Sequence, residues 1–304
     1  MNRPLSWFNI TSLTLGFTFL YLPMVILVIY SFNASKLVTV WAGFSTKWYV
    51  RLLHDEQFLD AAWVTLKVAV FSSTLAVILG TMAAYTLVRM RRFPGRTMFS
   101  GMVYAPLVMP DVIIGLSLLL LFIAIGLDRG VFTIVLAHTT FAMCYVAIVV
   151  SSRLTSFDES LEEAALDLGC TPFDAFKSVT LPIIAPAVIS GWLLSFTLSL
   201  DDLVIASFVT GPSSTTLPIK IFSSIRLGVN PEINALSTIM IGLVTVGVLA
   251  ASLVSRHTIA RREREALEAN LAPVTEPALA SATEGVVRDE EEEEAEKKAS
   301  EARA

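Results

Sequence analysis

Three carboxylates, Asp111 and the neighbours Asp201 and Asp202, stand inside stretches otherwise empty of Asp, Glu, Lys and Arg. Placing an Asp at the centre of a membrane helix costs ~2.5–3.5 kcal/mol on insertion scales, so such a residue is kept facing protein or a water-filled path. A carboxylate in that setting can replace part of the hydration of an ammonium group, and it must do so loosely if the cation is to leave again. Tyr104 offers an aromatic face that attracts the same kind of cation. The competing reading is that the acids make hydrogen bonds between helices and tune packing. Adjacent side chains on a helix diverge by about 100°. At most one of Asp201 and Asp202 therefore points into a central path, and the other is free to cap a break in Ser199-Leu-Asp-Asp-Leu. Metal chemistry finds no support, because His54, His138 and His257 are scattered over separate regions.

The elements that must position these acids are long apolar blocks. Residues 4–35, 68–88, 130–152 and 233–255 carry no Asp, Glu, Lys or Arg, while 97–127 and 178–219 hold only the three aspartates. A bilayer core of ~30 Å takes about 20 helical residues, so the pattern predicts six transmembrane helices near 11–33, 62–88, 98–125, 131–152, 183–209 and 234–256. The fold class is an all-α membrane protein, since a closed barrel would show short alternating strands instead. At 1.5 Å per residue, Asp201 falls ~24 Å along helix five, in the outer half of the membrane, and Asp111 falls near the middle of helix three.

Basic residues set the orientation. Arg89, Arg91, Arg92 and Arg96 follow helix two, and Arg256, Arg261, Arg262 and Arg264 follow helix six. The positive-inside rule makes both clusters cytoplasmic, which puts both termini and the gap from Arg153 to Lys177 on that side. Segments 35–60, 128–129 and 211–232 then face outward. Cys144 lies inside helix four and Cys170 in the cytoplasmic gap, so the two cannot pair. The chain's net charge of −5 comes from its end. From Leu271 onward there are ten acids and four bases, with few large apolar side chains, and such a composition does not offset the entropy of ordering. The expected organisation is an N-terminal transmembrane helix with a periplasmic segment over 1–60, a five-helix core over 61–256, and a basic stretch with a disordered acidic tail over 257–304.

The Arg153–Lys177 gap carries the densest local signals. Helix formers run up to Gly169, a residue suited to the left-handed conformation that closes a helix. Thr171 then stands as an N-cap, Pro172 at the first helical position and Asp174 three residues after the cap. These signals predict two short helices meeting at a sharp corner, a rigid knob projecting from the membrane. Ala164 and Leu168 recur at i and i+4 on the first helix, and Phe173 and Phe176 at i and i+3 on the second. The apolar stripe suits docking in a groove of a soluble partner, or packing down on the ends of the chain's own helices.

The spacing resolves that choice by resemblance. Glu163-Ala164-Ala165, Gly169 six residues after the Glu, and Leu181-Pro182 twelve and thirteen residues after the Gly resemble the signature loop of type I ABC importer permeases, the methionine-and-maltose type. Val179 stands where Ile is commoner. The resemblance implies a MetI-like bundle whose coupling helices, between helices four and five, insert into a cleft on an ATPase subunit. Residues Glu163, Ala164, Ala165, Gly169, Phe173, Phe176, Leu181 and Pro182 would carry that contact. This chain has no G-x-x-x-x-G-K-[ST] phosphate loop, so the ATP and Mg2+ belong to the partner. On this reading it is a transport subunit and not an enzyme, with no cofactor of its own.

Further segments sharpen the resemblance. Ser199 to Pro212, Thr216 to Leu236, Phe44 to Tyr49 and Phe93-Pro94-Gly95-Arg96 look like the second permease of putrescine/spermidine importers, with ferric-ion, opine and sulfate permeases sharing much of the same grammar. The likeness runs from residue 11 to about 265. It implies a bacterial inner-membrane complex with a second homologous permease, a dimer of cytoplasmic ATPase subunits and a periplasmic polyamine-binding protein docking on 35–60 and 212–232. The lipid bilayer is the remaining partner, and no nucleic acid is implied. Alternating access, with Asp111, Asp201, Asp202 and Tyr104 along the path, follows from that assembly. A proton-coupled secondary transporter using Asp111 or Asp201 is the rival, and six spans with one knob fit it badly.

Overall fold

The computed structural model describes residues 6–37, 40–90, 92–227, 231–242 and 245–246. The chain divides into two compact units, Met1–Thr238 and Ile239–Ala304, and the helical bundle is the first of them. The expected acidic tail, the basic stretch after helix six and most of helix six itself lie outside the described residues.

Helices account for the described architecture, apart from one β-bridge between Asn33 and Phe44. They are α1 (Trp7–Ser31), α2 (Lys47–Leu53), α3 (Glu56–Arg89), α4 (Arg96–Val108), α5 (Asp111–Ala124), α6 (Val131–Thr155), α7 (Ser160–Asp167), α8 (Pro172–Ala175), α9 (Leu181–Asp201), α10 (Val204–Val209) and α11 (Leu217–Leu227). A π-helical turn, Phe176–Thr180, joins α8 to α9. A further helix, α12, is described over 231–242. Among the described residues, four helices are long and apolar enough to cross a membrane: Trp7–Ser31, Glu56–Arg89, Val131–Thr155 and Pro172–Asp201.

The third expected span is not a single rod. Between α4 and α5 the axis turns by 117°. Pro110 cannot donate a backbone hydrogen bond, and its ring pushes the residue before it out of the helical region; Met109 is accordingly extended, at ψ 138°. Asp111 therefore opens α5 instead of lying in mid-helix. Helix five also stops early, with α9 ending at Asp201 and α10 starting at Val204 after a two-residue break. The 211–232 stretch, read from sequence as an outer segment, contains the eleven-residue α11.

Three helices form the centre. On α3 the buried positions are mostly small, Ala69, Ser72, Ser73, Ala76, Gly80, Ala83 and Ala84, and they recur at helical spacing. In lipid, where apolar tails compete equally for apolar side chains, close backbone approach over small residues is what holds helices together. Val146 of α6 sits in the resulting notch. A Cβ on Gly80 would lie 2.8 Å from the Val146 Cβ and from the Met143 carbonyl oxygen, and one on Gly191 of α9 would lie 3.3 Å from Val146 Cγ1. The two glycines let α3 and α9 close on α6 from either side. By contrast, the central window of α1 buries nothing against the rest of the described chain.

Candidate functional site

Each of the three aspartates within the apolar blocks lies at a break in a helix. Asp111 occupies the first turn of α5, where the partial positive charge of the helix start favours a carboxylate. Asp201 is the last residue of α9 and is exposed. Asp202 turns back as the cap of α10, accepting hydrogen bonds from the backbone amides of Ile205 (3.3 Å) and Ala206 (2.7 Å). The two breaks are brought together because α5 packs against α10. Gly115 is the contact point, where an added Cβ would meet the Phe208 ring at 2.7 Å and the Ile205 Cα at 3.3 Å. Thr133 of α6 secures the far end of α10 by donating to the Val209 carbonyl at 2.9 Å.

Asp202 has a partner that sequence reasoning passes over. The buried His138 of α6 meets it through Nε2 at 3.1 Å, and its Nδ1 meets the Ser199 hydroxyl at 2.7 Å. Ser72 of α3 donates to Ser199 Oγ at 3.1 Å. With Nε2 protonated, every member is satisfied in one direction: Ser72 to Ser199, Ser199 to His138, His138 to Asp202. The chain of bonds crosses α3, α9 and α6 and ends at the α9–α10 break. Its signal was present in the sequence, since the rule that an ionisable side chain inside a span needs a partner applies to His138 as it does to the aspartates. Tyr104, grouped with the acids from sequence, packs half-buried with Phe99 against Ala83, Leu87, Val103 and Ala147.

At the other site, the knob, the signals that set its corner are realised. The Cys170 amide bonds to the Ala165 carbonyl (3.1 Å) and the Gly169 amide to that of Leu166 (2.9 Å), the paired reversed bonds that close a helix through a left-handed residue. Gly169 has φ +90°. Thr171 Oγ1 accepts from the Asp174 amide at 3.2 Å and donates to the Asp174 carboxylate at 2.6 Å. At the start of α7, Asp158 accepts from the Ser160 amide at 3.0 Å. That bond holds the Asp158 carboxyl below the usual carboxylate range.

Two surfaces result. Leu161, Leu168 and Phe173 are exposed, with Leu168 at 87% and Phe173 at 72%, and Glu163, Ala164 and Gly169 are exposed beside them. Ala165 is buried. Phe176 departs from the expected stripe, because the π-helical turn directs its ring onto Tyr85 of α3, edge to face at 5.1 Å. Leu181 and Pro182 open α9 directly after that turn, so the knob and a central helix are one continuous piece. Glu162, which the signature does not include, bonds to Tyr85 and Arg89.

A bundle of apolar helices broken at its acids, with a two-helix knob at one end, suits a polytopic transport subunit. The chain belongs to the family described as binding-protein-dependent transport system inner membrane component, which residues 76–264 match. It is 60% identical over 255 residues to the putrescine transport system permease protein PotI of Escherichia coli (strain K12), covering 82% of this chain and 91% of that one. To the spermidine/putrescine transport system permease protein PotC of the same strain it is 44% identical over 244 residues, covering 80% and 92%. Among solved structures, a bacterial ABC transporter for import of the acidic polysaccharide alginate matches with a TM-score of 0.64 and 18% identity, covering 84% of this chain and 99% of that one. The MetNI methionine ABC transporter matches with a TM-score of 0.55 and 17% identity, covering 66% and 95%. These structures share the fold of ABC importer permeases.

Proposed function

We propose that this chain is the permease subunit of an ATP-driven polyamine importer of the bacterial inner membrane, pairing with a second permease, a cytoplasmic ATPase dimer and a periplasmic binding protein. The likeness to the putrescine permease, maintained over nine-tenths of that protein, is the observation that carries the polyamine assignment. The knob faces the cytoplasm and docks Glu163, Ala164, Leu168 and Phe173 on the ATPase, with Gly169 setting the corner and Leu181-Pro182 passing the movement into α9. ATP binding draws the two ATPase subunits together, the knobs follow, and the bundle changes between two packed arrangements rather than deforming gradually.

On the cargo side, Asp111 and Asp201 are the carboxylates available to a protonated amine, because Asp202 is already engaged as a cap and with His138. Loose, successive contacts with carboxylates let the cation enter and leave. The test is uptake of labelled putrescine and spermidine by proteoliposomes holding the full complex, with ATP inside and the binding protein outside. Asp201→Asn is expected to lower uptake while basal ATP hydrolysis continues. Uptake driven by a pH gradient without ATP, or stimulation of ATP turnover only by a binding protein for ferric ion, opine or sulfate, would overturn the assignment.

A further inference from the structure

The knob's underside is bolted to α3 through groups outside the signature spacing. Tyr85 donates its hydroxyl to Glu162 Oε1 at 2.6 Å, and Arg89, one turn further along the same helix, donates from Nε to Glu162 Oε2 at 3.1 Å. Both oxygens of one α7 carboxylate are thus held by one face of α3. Arg89 also donates from Nη1 to Glu159 Oε1 at 3.0 Å, and its guanidinium lies over the Phe157 ring, 5.2 Å from the centroid. Phe176 closes the other side by resting its ring against Tyr85. The Arg89 and Glu162 side chains are only 11% and 13% exposed. These residues leave Leu161, Leu168 and Phe173, on the outer surface of the knob, uncovered.

We propose that Tyr85 and Arg89 are positioning residues that clamp the knob at a fixed angle to α3, so that a push on the knob moves the central helix instead of being absorbed in the loop. The proposal rests on the docking role given to the knob above. A semi-buried ion pair adds little net stability once its desolvation is counted, but its geometry is stiff when each partner is hydrogen-bonded at several points. The clamp's place also matters. The knob is covalently continuous with α6 on one side and α9 on the other; α3, the helix packed against both, has no chain link to it. Only side chains can join them, and Glu159, Glu162 and Phe176 supply the knob's half of the joint. A loop connection bends under load, whereas a carboxylate gripped at both oxygens resists rotation in two directions.

The experiment compares Arg89→Leu, Tyr85→Phe and the double variant Arg89→Leu with Glu162→Leu in the complete reconstituted complex. Three quantities are read: capture of the ATPase subunits, ATP hydrolysis, and solute moved per ATP hydrolysed. Capture is expected to persist in all three, since the exposed surface is untouched. Solute moved per ATP is expected to fall about tenfold in Arg89→Leu, within the range of coupling between linked sites, and less in Tyr85→Phe, which loses one hydrogen bond. The double variant removes both charges of the Arg89–Glu162 pair and is expected to recover part of the thermal stability lost in Arg89→Leu, while its transport per ATP stays low. Recovery of transport along with stability in the double variant would make the pair a mere packing element and overturn the clamp. Loss of ATPase capture in Tyr85→Phe would also overturn it, whereas retained capture in Leu168→Asp and Phe173→Asp variants would instead refute the docking surface itself.

Discussion

Gly169→Ala isolates the corner of the knob from everything around it. At φ +90° the residue lies where a Cβ clashes with its own backbone, yet an added Cβ meets nothing within 4 Å elsewhere. The cost is therefore purely conformational, about 1–2 kcal/mol for a non-glycine residue held in left-handed geometry. If the knob relaxes to escape that strain, its docking-competent form is depleted by a factor of about 5–30. Asparagine tolerates this region better than other residues, so Gly169→Asn is expected to be milder than Gly169→Ala despite its larger side chain. Titrating purified ATPase subunit onto the immobilised permease measures the shift as a weakened Kd, ranked Gly, then Asn, then Ala, then Val. An alanine variant as tight as glycine would rule out backbone strain at this corner as a determinant of docking. So would a ranking that follows side-chain volume, since that would place a neighbour where the structure has open space.

The remaining expectations concern the bundle. Gly80→Ala puts a methyl 2.8 Å from the Met143 carbonyl and from Val146, so α3 and α6 must separate; a loss of about 1–3 kcal/mol, typical of overpacking, should appear as earlier unfolding in detergent, and Val146→Ala in the same chain should recover part of it. His138→Leu removes the ring that Asp202 and the Ser199 hydroxyl both bond to, while the Ile205 and Ala206 amides still hold Asp202; the loss is about 1–3 kcal/mol for a buried group deprived of a partner. Asp202→Asn keeps an oxygen for the Ala206 amide and should cost less; thermal unfolding in micelles checks the order, and an equal or reversed order would remove His138 from the account of the α9–α10 break.

How much was legible in advance varies with the range of the physical signal. The corner of the knob was readable because Gly169, Thr171, Pro172 and Asp174 act on the backbone within four residues of themselves. A cap somewhere in Ser199-Leu-Asp-Asp-Leu was readable for the same reason, but not which aspartate makes it, nor that the fifth span stops at Asp201. Pro110 carried an equally local signal against a continuous third span, and there hydropathy, which is insensitive to direction, hid a turn of 117°. Phe176 has the right spacing to share a face with Phe173, but a π-helical turn rotates it onto Tyr85, and no short window of sequence announces that turn.

The class of molecule, the apolar blocks and the two short helices of the knob could be read from the chain, because hydrophobicity and capping depend on neighbours a few residues apart. Tertiary packing engages Asp202, since His138 lies 64 residues away in the chain and the two meet only when α6 and α9 pack. It likewise decided that Glu162 grips α3 across 73 residues through Arg89. Such pairs are set by where helices touch, and helices in lipid touch where small side chains let their backbones approach.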